Sequence, residues 1–283
     1  DETFDPEVSS RVKLLYLETV KDPDKLLLHS ASLIRKGCRI AAIKAGSSSA
    51  GSRAASSHTG ALVSSDAAVE ALFRKAGIVR CYGREELVTV ANVFLCKELK
   101  GRKMAIITHA GGPGVMLTDA LEDGGLTIPV IPNSPAKSKL KEKLLPGSSV
   151  ENPFDILATG TADHLRDIID ACEHDFDVDG MAVIFGSNGL VPVREVYDLI
   201  GEQMQRCSKP IYPILPSIIN VREEVSQFLS LGNVNFPDEV LLGRALTKIM
   251  NTGKPSDHSI FLEGIDIPEI RRIVDQTQPG YQP

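Results

Sequence analysis

The feature that most constrains this chain is an alternation of short β-branched apolar runs with longer helical patterns, punctuated by Gly and Pro. The runs VKLLYLETV (12–20), RIAAI (39–43), IVRC (78–81), KMAIIT (103–108), DGMAVIF (179–185) and PIYPIL (210–215) read as strands, with shorter pieces at 152–156 and 234–236. Between them the patterns predict helices over 22–36, 67–76 with Asp66 as its N-cap, 85–98, 115–122, 161–174, 193–206, 221–229 and 237–250. Asp22-Pro23 opens the first of these, and Gly37 and Gly77 are stop signals. Strands and helices alternating at this length predict right-handed βαβ units and parallel sheets. Aromatic residues make up 5% of the chain and Trp is absent, so Val, Ile, Leu and Ala must build the core. That suits parallel strands covered on both faces by helices.

The expected fold is therefore α/β, with two flavodoxin-like parallel-sheet domains at 1–100 and 101–252. The polar Lys100-Gly101-Arg102 marks the boundary, and residues 253–283 form a linker and tail. The first module is short of strands, so it is expected to be truncated at its N-terminal side. The second reads as a complete flavodoxin-like run.

Lys44 to Leu62, KAGSSSAGSRAASSHTGAL, interrupts this regularity. It follows a strand and consists of Gly, Ala, Ser and Thr apart from Lys44, Arg53, His58 and Leu62. Such residues are poor helix formers and cannot fill a core, so the stretch is expected to be a loop. Two readings compete: a flexible connection, or a loop whose amides approach an anion while presenting His58 among Ser56, Ser57 and Thr59. Glu18 falls at the carboxyl end of its strand, where ligands gather in open parallel sheets, or is simply a solvent-facing strand end. A second Gly-rich segment, His109-Ala-Gly-Gly-Pro-Gly114, joins a strand to a helix. It is an anion site at a helix N-terminus or a tight βα turn. It lacks the Lys-Ser/Thr of a Walker motif and is not a dinucleotide fingerprint.

The formal net charge of -6 gives no field for nucleic acid, so an anionic ligand would depend on local donors such as Lys44, Arg53 and loop amides. Five scattered cysteines without a C-x-x-C pair read as reduced thiols of a cytoplasmic protein. No apolar run approaches membrane-spanning length. His164, Cys172 and His174 share a helix but not a face, and no metal site is read there.

LYLE, then KAG and SSHTGAL, then HAGGPGV occur in order within residues 10–250. This constellation resembles the ADP-forming (NDP-forming) acyl-CoA synthetases, the acetate-CoA ligase relatives of succinyl-CoA synthetase. The resemblance implies the reversible reaction of acyl-CoA, ADP and phosphate to carboxylic acid, CoA and ATP through an acyl phosphate and a phosphohistidine. His58 matches the phosphorylated histidine and Glu18 the carboxylate that holds it. Ser57, Thr59 and Gly60 beside the imidazole, and Gly111, Gly112 and Gly114 at the second loop, are the candidate phosphate-binding residues. His109 stands where family members often carry Asn and receives no role. The resemblance also implies partners: a CoA-binding domain and an ATP-grasp domain or subunit, with CoA, ATP or ADP and Mg²⁺ bound in the complete enzyme rather than by this segment alone. An oligomer is expected on the same ground. Two other readings stand beside it: a non-catalytic sensor module of a larger regulatory protein, and a flavodoxin-like FMN binder disfavoured by the scarcity of aromatics.

Overall fold

A computed structural model describes residues 1–59, 65–187, 189, 192–217, 219–256 and 266–276. The chain runs through β1 (Val12–Leu17), α1 (Pro23–Arg35), β2 (Arg39–Lys44), α2 (Ser49–Thr59), α3 (Asp66–Ala76), β3 (Val79–Cys81) and α4 (Arg84–Leu95). It continues through β4 (Met104–Thr108), α5 (Gly111–Glu122), α6 (Pro135–Lys143), β5 (Phe154–Asp155), α7 (Ala162–His174) and β6 (Gly180–Ile184). The remaining elements are α8 (Arg194–Arg206), β7 (Ile211–Ile214), α9 (Arg222–Ser230), α10 (Glu239–Asn251) and α11 (Ile267–Gln276). The first sheet has the order β1-β2-β3 and the second β5-β4-β6-β7, with every pairing parallel. Phe236 adds a single parallel bridge to Ile214 where the sequence predicts a last short strand.

Successive residues of the central strands are buried on opposite faces, which explains their unbroken apolar runs. In the first sheet, Ile40 and Ala42 pack with Val69 and Phe73 of α3, while Ala41 and Ile43 face Val90 and Val93 of α4. In the second, Ile107 and Val183 pack with α7 and α8, while Ile106 and Ile184 join Leu117 of α5 and Leu246 of α10. That last cluster is continuous with the α4 face of the first sheet, so the two sheets share one core. Lys248 of α10 also pairs with Glu86 of α4. Residues 100–102 are tied down between them. Arg102 donates to the carbonyls of Gly125 and Met250 and to Asn251 Oδ1.

The expected starts and stops are largely met. Asp22 caps α1 by accepting from Lys25 N at 3.0 Å, and Gly37 and Gly77 follow α1 and α3 at φ 93° and 76°. Ser65, not Asp66, precedes α3, which frees the Asp66 carboxylate to pair with Arg80 at 2.5 Å. The outer edge of β4 is assembled from two pieces. Thr127 bridges its start and Phe154–Asp155 its end. Asn152 fills the gap between them, accepting from Ile106 N (3.0 Å) and donating to the carbonyls of Met104 (2.9 Å) and Pro129 (3.3 Å). A side-chain amide thus completes a ladder that backbone would otherwise supply. All five cysteines are buried and unpaired. No helix of the described residues is long and apolar enough to cross a membrane.

Candidate functional site

The carboxyl edge of the first sheet carries Glu18 and the root of α2 side by side. Register places Leu17 opposite Lys44, and Ala45 N donates to Leu17 O at 2.8 Å, so Glu18 immediately follows that pair. Its side chain is half-buried and has no hydrogen-bond or ion-pair partner among the described residues. A carboxylate partly out of water and without a donor is poised to accept a hydrogen bond.

Beyond Lys44 the chain departs from expectation: residues 49–59 form a helix rather than a loop. Propensity is a weak prior, and local packing overrides it here. Gly46 turns at φ 73° and lies so close to α2 that an added Cβ would meet Gly51 O at 3.2 Å and Ala55 Cβ at 3.3 Å. The Ser48 hydroxyl accepts from Gly51 N at 3.1 Å, satisfying a first-turn donor. Lys44 is 3% exposed and donates to Gly46 O at 3.0 Å, so it holds the turn instead of offering its ammonium to an outside anion. Arg53 is exposed.

His58 falls in the last turn of α2, between Ser57 and Thr59, on the backbone that starts beside Glu18. Nine residue steps from Ser49 amount to about 14 Å along the helix axis. Gly60 lies outside the described residues. From residue 47 to 54 α2 and its entry are mostly exposed, with Gly51 and Ser52 half-buried.

The second cluster sits at the carboxyl ends of β4, β5 and β6. The sequence suggests a Gly-rich turn before a helix starting at 115, but α5 begins at Gly111. Ala110 is the extended N-cap, its N–H held by Thr108 Oγ1 at 2.9 Å, and Pro113 fits a first turn that needs no N–H there. No side chain caps this end. The three glycines then separate by steric role. A Cβ on Gly114 would press on Thr108 Cγ2 at 3.2 Å, so packing explains that glycine. A Cβ on Gly112 would meet nothing within 4 Å, and one on Gly111 only Asp155 Oδ2 at 3.9 Å. Those two glycines are exposed and the fold does not require them.

His109, left without a role by the sequence, packs against this cluster. Its ring stacks on Phe185 with centroids 4.6 Å apart, and Nδ1 lies 3.3 Å from the Ile184 carbonyl. Burial holds its pKa below the ordinary 6.5, opposed by the Ile184 carbonyl and Asp155, so the ring is neutral at pH 7. Phe185 and Ile184 are far from His109 in sequence, so only the register of β4 and β6 reveals this contact. No hydrogen bond or ion pair among the described residues joins the Glu18 edge to the Gly111–Gly112 turn. His164 is occupied in the capping box of α7 with Thr161. No group of three or more His, Cys, Asp or Glu among the described residues is placed to hold a metal ion.

Comparison with known proteins bears on this arrangement. Residues 3–94 match the family described as a succinyl-CoA ligase like flavodoxin domain. The chain is 32% identical over 259 residues to the ADP-forming acetate–CoA ligase I of Archaeoglobus fulgidus, covering 92% of this chain and 36% of that protein. It is 30% identical to the α subunit of the ADP-forming acetate–CoA ligase I of Pyrococcus furiosus, covering 89% of this chain and 55% of the subunit. The acetyl-coenzyme A synthetase 1 of Ca. Korarchaeum cryptofilum, solved in complex with phosphate and ADP, superposes with a TM-score of 0.76. At 24% identity, over 87% of this chain and 53% of that one, it shows the same fold. The chain thus spans between about a third and about half the length of these relatives. By motif order, topology and relatives, it belongs to the ADP-forming acyl-CoA synthetase family of the succinyl-CoA synthetase superfamily.

Proposed function

We propose that this chain is the phosphohistidine-carrying core of an ADP-forming acyl-CoA synthetase. It would work with CoA-binding and ATP-grasp parts that bind CoA, ADP or ATP and Mg²⁺. The observation that carries this reading is the half-buried, unpartnered Glu18 carboxylate at the sheet edge from which the His58 helix departs.

The chemistry asks for such a pair. An imidazole attacks phosphorus through the nitrogen that bears no proton, and a carboxylate accepting from the other ring N–H fixes that tautomer. In the ATP-forming direction the His58 nitrogen forms a bond to the phosphorus of an acyl phosphate. The P–O bond to the acyl oxygen breaks, and the carboxylate leaves with that electron pair. Glu18 then faces the positive charge on the phosphorylated ring. A terminal oxygen of ADP next attacks the phosphorus, and the N–P electrons return to a neutral imidazole. Amides at Gly111 and Gly112, at the positive end of α5, support the transferring phosphoryl group, as do Ser57, Thr59 and Gly60 beside the histidine. A helix of small residues, mostly exposed over residues 49–54, is inexpensive to displace, which a carrier travelling between two reaction centres requires.

The test is reconstituted turnover. This chain is combined with its CoA-binding and ATP-grasp parts, and ATP formation from acetyl-CoA, ADP and phosphate is followed. His58→Ala abolishes ATP formation if the reading holds. Undiminished ATP formation by His58→Ala would remove the carrier role.

A further inference from the structure

The second sheet, in the order β5-β4-β6-β7, has its switch point between β4 and β6: the chain leaves β4 for β5 on one side and returns to β6 on the other. In open α/β sheets ligands gather in the crevice outside the carboxyl ends at such a point. His109 follows β4 there, Gly186 lies just beyond β6, and a Cβ on Gly186 would come within 3.8 Å of His109 Cε1. The exposed Gly111 and Gly112 open α5 on the same rim. Their amides, at the positive end of a helix, offer donors.

Two side chains of the opposite kind flank these donors. Asp155 ends β5, and its Oδ1 accepts from Leu157 N at 2.8 Å. Leu157 stands at φ 63°, the only residue other than glycine with a positive φ among the described residues. The left-handed region costs a leucine about 1–2 kcal/mol. The strained turn holds the Asp155 carboxylate in place. Its Oδ2 makes no hydrogen bond among the described residues and would lie 3.9 Å from a Cβ on Gly111. His109 adds a second acceptor. The Ile184 carbonyl can only accept, so Nδ1, 3.3 Å away, carries the ring proton. Burial keeps the ring neutral, which leaves Nε2 bare. Nε2 has no hydrogen-bond partner among the described residues. The buried side-chain polar atoms without a partner there are Arg80 Nε and Ser148 Oγ, so Nε2 is open to solvent at the crevice.

A metal cation here would face the positive end of α5, and a fully ionised oxyanion would face the Asp155 carboxylate and the Nε2 lone pair. An oxyanion that keeps one proton satisfies both sets of groups. Its bare oxygens accept from the amides, and its O–H donates to Oδ2 or Nε2. We propose that His109 Nε2 and Asp155 Oδ2 select hydrogen phosphate over sulfate at the Gly111–Gly112 end of α5. Selection presupposes that this end receives a phosphoryl group, as proposed above, and the two can fail separately. The discrimination comes from the acceptors that the wrong anion leaves unanswered.

Imidazole nitrogen NMR of the chain carrying isotope-labelled histidine tests this at about pH 7.5, where a neutral ring prevails. Hydrogen phosphate keeps a P–O–H proton at that pH and sulfate has none. His109→Asn assigns the signals. His109 is expected in the Nδ1–H tautomer, and phosphate, like arsenate, shifts its Nε2 resonance. Sulfate and selenate bind at least about tenfold more weakly. Asp155→Asn keeps an oxygen for Leu157 N and supplies an amide that donates, so sulfate should gain at least about threefold more affinity than phosphate does. Misfolding does not produce a gain of sulfate binding, and if Asp155→Asn fails to fold, the phosphate-to-sulfate ratio of the parent chain decides. Equal binding of the two anions, an Nε2–H tautomer, or an unchanged ratio in folded Asp155→Asn overturns the selection and leaves the phosphoryl site standing. No response of His109 to either anion up to about 50 mM removes both.

Discussion

Gly112→Ala separates a glycine kept for the fold from one kept for a ligand. Gly112 lies in the first turn of α5, does not have a positive φ, and leaves an added Cβ with nothing within 4 Å. Restricting the unfolded chain at such a site stabilises a protein by about 0.4–1 kcal/mol. For a chain of this size that raises the melting temperature by about 1–4 °C. The proposed function predicts the opposite for chemistry. A methyl group beside the Gly111 and Gly112 amides obstructs the approach of a phosphoryl oxygen, slowing phosphoryl transfer at least tenfold, or about 1.4 kcal/mol of barrier. Gly114→Ala is the control, because its Cβ would sit 3.2 Å from Thr108 Cγ2, and Thr108 is buried with Oγ1 engaged at Ala110. It should destabilise by about 1–2 kcal/mol. Differential scanning calorimetry of the chain and quench-flow phosphorylation with the ATP-grasp partner provide the two readings. A lower melting temperature for Gly112→Ala would show that the fold needs this glycine. A higher one with undiminished transfer would show that no phosphoryl oxygen comes near it, and either result refutes the reasoning.

Other expectations are equally specific. Glu18→Gln removes a charge with no partner to lose, so stability should change by less than about 0.5 kcal/mol while histidine phosphorylation slows by about 10–100-fold; loss of stability without loss of rate would reverse its assignment. Asn152→Ala strands the Ile106 N–H and the carbonyls of Met104 and Pro129 on the β4 edge. Urea denaturation should show a loss of about 2–4 kcal/mol, and a change under 1 kcal/mol would mean that water replaces the amide. Burial depresses the folded pKa of His109 below 6.5, so the unfolded state binds the proton more readily. Its stability contribution is complete above that value and lost as pH falls through the folded pKa. Urea midpoints at about pH 7.5 and about pH 5.5 should therefore diverge less in His109→Asn than in the parent, and equal divergence would rule His109 out as a source.

Much of this fold can be read without coordinates because parallel strands buried on both faces appear as contiguous apolar runs. Met104–Thr108 and Gly180–Ile184 are of that kind, and Gly37 and Gly77 end their helices as glycine with positive φ should. Glu18 is legible as the polar residue that ends the apolar run Leu14–Leu17. The misread segments are those decided by close packing. The α2 helix exists although Ser and Gly dominate it, since Gly46 fits against Gly51 and Ala55. The α5 helix starts four residues before its apolar pattern because Gly-Gly-Pro-Gly can serve as a first turn as well as a loop. The piece expected at 152–156 shortens to Phe154–Asp155, and the Asn152 amide that completes its edge is a tertiary contact. His109 on Phe185 likewise depends on which strands become neighbours. The motif LYLE, KAG, SSHTGAL and HAGGPGV points to the family, while the steric difference between Gly112 and Gly114 emerges only in three dimensions.

The central claim is that His58 carries the phosphoryl group. The most direct measurement is incorporation of label from γ-labelled ATP and Mg²⁺ into this chain in the presence of its ATP-grasp partner, with His58→Ala and Glu18→Gln alongside. The account predicts an acid-labile, alkali-stable label on the parent chain, slower labelling of Glu18→Gln, and none on His58→Ala. Equal labelling of His58→Ala, or no label on a well-folded parent complex that binds ATP, would contradict it.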